Sequence, residues 1–434
     1  MEPSLSDNPS TTANRTTSKS QSEDFEADSL NWGELSDWLQ LVRLPNVFTL
    51  LSDCAAASIV AVGLLGPLTA SFPILLASLM AYWAGMILND VVDLEEDRRY
   101  RPERPLASGR ISHVIAGHVA NAMLLISPVL ILAVMTFHTS QALWMGIAFL
   151  ASVLLSLAVR AYDSPLKRTP LGPPLMGLCR SLNILMVGFA MLAISHVPQV
   201  DRSPAGALDV GTRLGESSDY GLGESNLSTA PPGERAPPRS SAAPPRVPRP
   251  LDDNRPEKSL VDRLLIDPLA GTTGDDPESP TVHSLPAVIF PRSLLALAAA
   301  IGLYIFGVTV YARREEQESS SGMLLWGVVL EIAGLVIIGC LPWWAEAKQT
   351  WTLDPRQGYP LLVALIGLTV ANRGLAGVWH PVPRKVQLAV KHAILTLILI
   401  DAAVVLMWAG PWYGCAVVVL LLPALSSAMR FRST

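Results

Sequence analysis

Three aspartates are the residues best placed to do chemistry. In Asn89-Asp90-Val91-Val92-Asp93-Leu94-Glu95-Glu96-Asp97 the spacing i, i+3, i+7 brings Asp90, Asp93 and Asp97 to one face of any helix that runs through them. Left alone, that face is unfavourable. Carboxylates three and four residues apart repel, the C-terminal end of a helix is the negative end of its dipole, and an apolar run directly upstream adds partial desolvation. A bound cation reverses all three penalties, and magnesium suits the site, because it favours a few carboxylates, retained waters and phosphate oxygens over a closed protein cage. A second reading fits the same spacing: Asp93, Glu95, Glu96 and Asp97 pair with the arginines that follow and form a solvated cap. The next segment, Arg101-Pro102-Glu103-Arg104-Pro105 through Gly109-Arg110-Ile111, favours the first, since rigid turns there hold cations beside the acids.

Other polar residues stand in apolar surroundings. Arg180 and Asn183 lie on one face of an apolar run beginning near Pro174. A charge at that depth normally faces a bundle interior or wet cavity, so Arg180 is a candidate buried partner for phosphate; snorkelling toward headgroups is the alternative. Glu331 and Asp401 are more isolated, and each fits acceptor binding, proton acceptance or pairing with a neighbour. Lys391 and His392 read as interface anchors. Cys54, Cys179, Cys340 and Cys415 sit singly, without CxxC or histidine at ligand spacing, and read as packing thiols.

The elements that must position these groups are membrane helices. The chain has 434 residues, 50% hydrophobic and only 16% charged, with positive mean hydropathy, unusual for a soluble protein. Its apolar residues gather in blocks of about 20, the length a helix needs to cross ~30 Å of hydrocarbon. Spans are expected at about 46–66, 73–92, 113–135, 141–160, 174–196, 290–311, 322–342, 360–378, 391–409 and 412–429. Asn372 and Arg373 interrupt the eighth. The fold class is thus all-α, a polytopic bundle of nine or ten helices.

The remainder divides around that bundle. Residues 1–30 are polar and lack an apolar signal-peptide core, so they read as a disordered tail. Residues 31–45 alternate aromatic, acidic and apolar types, as an interfacial helix does. Residues 198–286 are rich in proline, serine and glycine and read as a disordered insert, polyproline-like from Pro231 to Pro250. The bundle occupies 46–197 and 287–430. The formal charge of -5 owes much to tail and insert and carries no nucleic-acid signal. Lys and Arg concentrate after the second span (Arg98, Arg99, Arg101, Arg104, Arg110), the fourth (Lys167, Arg168) and the sixth (Arg313, Arg314). The positive-inside rule then places these loops and the N-terminus in the cytosol and the insert outside, in a cell or inner membrane.

Asn89 to Asp97 resembles the NDxxDxxxD motif of the UbiA family of intramembrane prenyltransferases, and Arg101 to Ser112 resembles the RPxRPxxxGxIS segment that follows it there. Tyr162-Asp163-Ser164-Pro165-Leu166-Lys167 through Gly172 is similar to the family's YSxPxLKxxxxG loop after the fourth helix. The resemblance covers about 45–196 closely and 290–430 loosely, and the loop sequences look most like the EboC-like branch. It implies that Asp90, Asp93 and Asp97 hold magnesium on a prenyl diphosphate, with Asn89 shaping the site. Arg101 and Arg104 would meet phosphate oxygens, which guanidinium does bidentately. Lys167 would add a point charge, and Tyr162 a hydroxyl or a ring face for a developing allylic cation. Taken without the family, Lys167 and Arg168 read as ordinary orientation charges.

One part of the pattern is missing. Where the family carries a second aspartate motif after the sixth helix, Tyr304 to Glu318 contains no aspartate. Glu315, Glu316 and Glu318 either substitute or simply flank Arg313 and Arg314. Two functions therefore stand side by side. The first is magnesium-dependent transfer of a prenyl or polyprenyl group from its diphosphate to a small or lipidic acceptor inside the membrane. The second is a non-catalytic bundle that binds or transports a lipid-linked or small metabolite.

Overall fold

Each long apolar run in this chain forms a helix, even where Pro73 and Pro128 stand inside the run. The computed structural model describes residues 31–138, 141–163, 165–195, 290–313, 320–345 and 351–430. Their regular elements are all helices, with no strand among the described residues. The tail, the insert and Glu315, Glu316 and Glu318 lie outside the described residues.

A short helix α1 (Leu35–Leu41) leads into α2 (Leu44–Val62), α3 (Leu68–Val92), α4 (Leu94–Tyr100), α5 (His113–His138), α6 (Ala142–Tyr162) and α7 (Gly172–Ile194). After the insert come α8 (Arg292–Ala312), α9 (Ser321–Gly339), α10 (Gly358–Trp379), α11 (Pro383–Ala409), α12 (Pro411–Val419) and α13 (Leu421–Arg430). Among the described residues nine of these, α2, α3 and α5 to α11, are long and apolar enough to cross a membrane.

Several boundaries differ from the expected spans, for local reasons. The first span stops at Val62 rather than near 66 because Gly63 takes φ +76 and ends the helix. The eighth runs unbroken through Asn372 and Arg373. The expected tenth span, 412–429, is two short helices. Pro423 lacks an N–H and its ring would clash with the carbonyl of residue 419, where α12 ends. Helix α11 begins at Pro383, so Lys391 and His392 fall within it, and His392 Nε2 lies 3.3 Å from Thr369 Oγ1 on α10.

The interfacial segment is shorter than expected and is clasped to the loop behind the aspartate cluster. Asp37 is buried; it accepts from the Glu34 N–H at 3.1 Å and pairs with Arg110. Asn31 takes the Ser112 N–H at 2.9 Å and donates to the Gly109 carbonyl at 3.0 Å.

Successive long helices lie side by side from α5 to α11; α5 also covers α3, and α11 closes back onto α2, which crosses to α7. Helices α2 and α11 are each 67% buried over their most apolar stretch, against 28% for α5 and α10. The centre is therefore α2, α7, α8 and α11, and α5 and α10 form the lipid-facing rim. Close contact at the centre depends on small residues. A Cβ on Gly177 would stand 2.4 Å from the Gly302 carbonyl, so α7 and α8 touch backbone to backbone there.

Candidate functional site

A cavity of about 290 Å³ opens among α2, α3, α6, α7, α8 and α11. One end is polar: Arg43, Asn46, Tyr82, Asn89, Tyr162, Asp163, Arg180 and Asn183 line it. The rest is aliphatic, from Leu50 and Leu155 to Ile305, Val308 and Leu397. Of the residues expected at the site, Asn89, Tyr162, Arg180 and Asn183 reach this cavity directly.

The others form an ion-paired belt beside it. Asp93 ends α3 and begins α4, so the acidic segment bends at its middle aspartate instead of continuing as one straight helix. Asp90 is buried; Arg43 Nη2 donates to its Oδ1 at 2.9 Å, and Arg104 Nη1 lies 3.5 Å away. Asp97 is buried too, with Arg104 at 2.7 Å and Arg101 at 3.6 Å. Asp93 pairs with Lys167, which reaches it from the 3-10 turn Pro165–Arg168. The Asn89 amide spans the first two acids, donating to Asp90 Oδ1 at 3.4 Å and Asp93 Oδ2 at 3.5 Å. Belt and cavity meet at Asn89 and Arg43, each of which belongs to both.

Arg180 points into the bundle and does not snorkel. It pairs with Asp53, which is fully buried, donates to Thr49 Oγ1 at 3.0 Å, and sits 5.9 Å from the Tyr82 ring centroid. Behind Asp53, the equally buried Asp401 accepts from Ser52 Oγ at 2.5 Å. Asp401 is thus part of a polar cluster and not an isolated charge. Asn183 accepts from Ser78 Oγ at 2.6 Å. Glu331 is buried elsewhere, against Gly307 at the α8–α9 contact.

Three contributors escaped the sequence reading. Arg43 is in the left-handed region, φ 50, uncommon for a residue with a side chain; the turn swings its guanidinium onto Asp90. Asp53 is an acid inside the first apolar run, the signal that had marked Glu331 and Asp401. Asp163 stands in a segment noted for its tyrosine and lysine. It caps α6, is 2% exposed, and neither carboxylate oxygen has a partner among the described residues.

The electrostatics follow from burial. Desolvation pushes the Asp163 carboxyl up to about 7, with Lys167 opposing and Asp93 adding to the rise. Burial also raises Asp97, against the hydrogen bond and charge of Arg104. Among the described residues no three His, Cys, Asp or Glu side chains are gathered as a metal cage. The donor set still fits magnesium, which is commonly held by one or two carboxylates, waters and substrate phosphates: Asp90 and Asp93 share Asn89, and Asp163 has two unengaged oxygens.

Fold and site together define a polytopic helical membrane protein whose central cavity has a charged head end and a hydrocarbon wall. Residues 50–207 match the model of the UbiA prenyltransferase family, the family that the motifs in that stretch resemble. A digeranylgeranylglyceryl phosphate synthase from Ignicoccus hospitalis is 39% identical over 104 residues, 24% of this chain and 33% of that protein; the match thus spans a third of that relative. A solved structure described as giving structural and mechanistic insights into digeranylgeranylglyceryl phosphate synthase in membranes aligns over 87% of this chain and 99% of that one, at 14% identity and a TM-score of 0.49.

Proposed function

We propose that the protein transfers a prenyl or polyprenyl group from its diphosphate to a small or lipidic acceptor inside the membrane, with magnesium as cofactor. The observation that carries this reading is the cavity. Its polar end, with Arg43, Asn46, Asn89 and Arg180, suits an anionic head, and its aliphatic wall suits a hydrocarbon tail. The Ignicoccus relative, named for a phospholipid carrying two prenyl chains, supports a lipidic acceptor.

Asp90 and Asp93 would hold magnesium, with Asp97 anchoring Arg104 beside them or joining as a third ligand. Bound there, magnesium supplies charge neutralisation of the leaving diphosphate. Arg43, Arg101, Arg104 and Lys167 stand where they can turn from the acids to phosphate oxygens. Arg180, fixed by Asp53 and Thr49, orients the head from the opposite side. The Tyr162 ring lies along the cavity, able to face positive charge developing on the allylic carbon. The aliphatic wall keeps water from that carbon, and an acceptor held nearby gains from proximity. The arginine-rich loops support a cytosolic face for this end.

A binding or transport function draws on one specific observation: every acid of the belt already has a cationic partner. The discriminating experiment uses the full chain in lipid nanodiscs with radiolabelled prenyl diphosphates, magnesium and a panel of acceptors. The expected result is magnesium-dependent diphosphate release and a labelled product, both lost in Asp90→Ala and Asp93→Ala. Magnesium-dependent binding with no release across the panel overturns transfer in favour of binding. Release that persists in both variants overturns the metal role of these aspartates.

A further inference from the structure

We propose that the groove between α9 and α10 binds one phospholipid of net negative charge, its acyl chain along the groove and its headgroup against Arg356. The groove lies where α9 ends and α10 begins, one span away from the central cavity, whose polar end Ala312 at the close of α8 helps to line. It does not depend on how that cavity is used.

The groove encloses about 510 Å³. Small residues open it: Ala364 and Gly367 face it from α10, and a Cβ on Gly339 of α9 would find no atom nearer than 3.9 Å. Among the described residues Arg356 is the one charged group that lines it. The neighbouring acid, Asp354, is committed to backbone, accepting the N–H groups of Arg356 at 2.7 Å and Gln357 at 2.9 Å. No carboxylate among the described residues pairs with the exposed Arg356 guanidinium. Trp343, 66% exposed, stands on the same rim, as aromatic residues do at a headgroup boundary.

Three features select the occupant. A guanidinium at one end of an apolar groove complements an anionic head with a hydrocarbon tail, and it grips phosphate oxygens bidentately. From Pro360 to Ala371 the lining runs about 16 Å along α10, close to half of a hydrocarbon core of ~30 Å, the depth of one leaflet. A partner helix is too thick, since a cylinder 10 Å across takes up about 420 Å³ per turn and the groove holds little more than one turn. Lipid also reaches the groove directly, because α10 belongs to the rim and exposes Leu361, Leu365 and Leu368.

The test titrates full-length protein in detergent with phosphatidylglycerol or phosphatidylcholine and counts bound lipid by native mass spectrometry. The wild type is expected to bind its first phosphatidylglycerol about fivefold tighter than its first phosphatidylcholine, the gain of one arginine at a membrane surface. Arg356→Gln is expected to equalise the two lipids. Ala364→Trp, which fills the exposed groove, is expected to remove the tight first lipid, and melting curves check that both variants fold. Equal affinities in the wild type, or a preference that survives in Arg356→Gln, overturn the headgroup assignment and the proposal with it. Tight phosphatidylglycerol binding that survives in Ala364→Trp places the lipid elsewhere and overturns it too. A dimer that persists in excess phosphatidylglycerol and is broken by Ala364→Trp overturns it in favour of a contact between two copies of this chain.

Discussion

Replacing Arg180 by methionine removes a cation paired with a fully buried carboxylate at the centre of the bundle. Asp53 has no solvent exposure and Arg180 keeps 13% of its side chain exposed, so little of the interaction is screened. Loss of Arg180 leaves Asp53 beside Asp401, also without exposure, with the Ser52 hydroxyl as the near donor. Removing one partner of such a pair costs about 3–5 kcal/mol, because the remaining charge stays buried. The contact with Tyr82, at the far edge of cation–π range, adds at most about 0.5 kcal/mol. For a bundle of this size the sum lowers the melting temperature by about 5–10 °C. Replacing both residues, Arg180→Met with Asp53→Leu, takes away charge and countercharge together and is expected to recover most of that loss. Arg180→Lys falls between, since an ammonium cannot reproduce the fork that reaches Asp53 and Thr49. The assay is tryptophan fluorescence melting of wild type, Arg180→Met, Asp53→Leu, the double variant and Arg180→Lys in one detergent. A cost below about 1 kcal/mol for Arg180→Met, or single costs that merely add in the double variant, refutes a buried, coupled pair.

Asp163→Asn tests the sign of a buried acid. Below about pH 4 Asp163 is protonated folded and unfolded; from there to about 7 only the folded state keeps its proton, so stability falls as pH rises and the cost is complete above 7. In EDTA, with Lys167, Asp93, Arg160 and Arg43 unchanged around it, Asp163→Asn is expected to melt higher than wild type at pH 8 and to lose that advantage toward pH 4; a constant difference across the range contradicts the assignment. Lys167→Met leaves Asp93, 17% exposed, without its cation, so stability should fall by about 1–3 kcal/mol while diphosphate release falls about 10²-fold or more. Full release in that variant removes Lys167 from the site. Gly302→Ala places a Cβ 1.9 Å from Ser181 Oγ and 3.0 Å from the Gly177 carbonyl, and should cost about 1–3 kcal/mol. Gly146→Ala, with open space around it, is the control expected to be neutral, and equal melting of the two refutes close contact of α7 and α8.

The sequence by itself determined the membrane class, the approximate spans and the segment that bears the site. Hydrocarbon thickness dictates run length, and a helix satisfies its own backbone wherever the run lies, so spans can be read without knowing their neighbours. The same holds for Asp97, Arg101 and Arg104, whose pairing is local along the chain. The breaks at Gly63 and Pro423 were also present in residue types, though a window of apolar residues passes over them.

Pairings between distant parts of the chain were decided only by the tertiary structure. Arg43 reaches Asp90 across 47 positions, Lys167 reaches Asp93 across 74, and Arg180 reaches Asp53 across 127. No spacing rule links such residues; they meet because α2, α3 and α7 pack around one centre, closely enough where glycines replace bulk. The structure likewise separated the residues that line the cavity from those that brace its rim. It also left Asp163 without a hydrogen-bond partner among the described residues, which depends on where the folded bundle brings its donors.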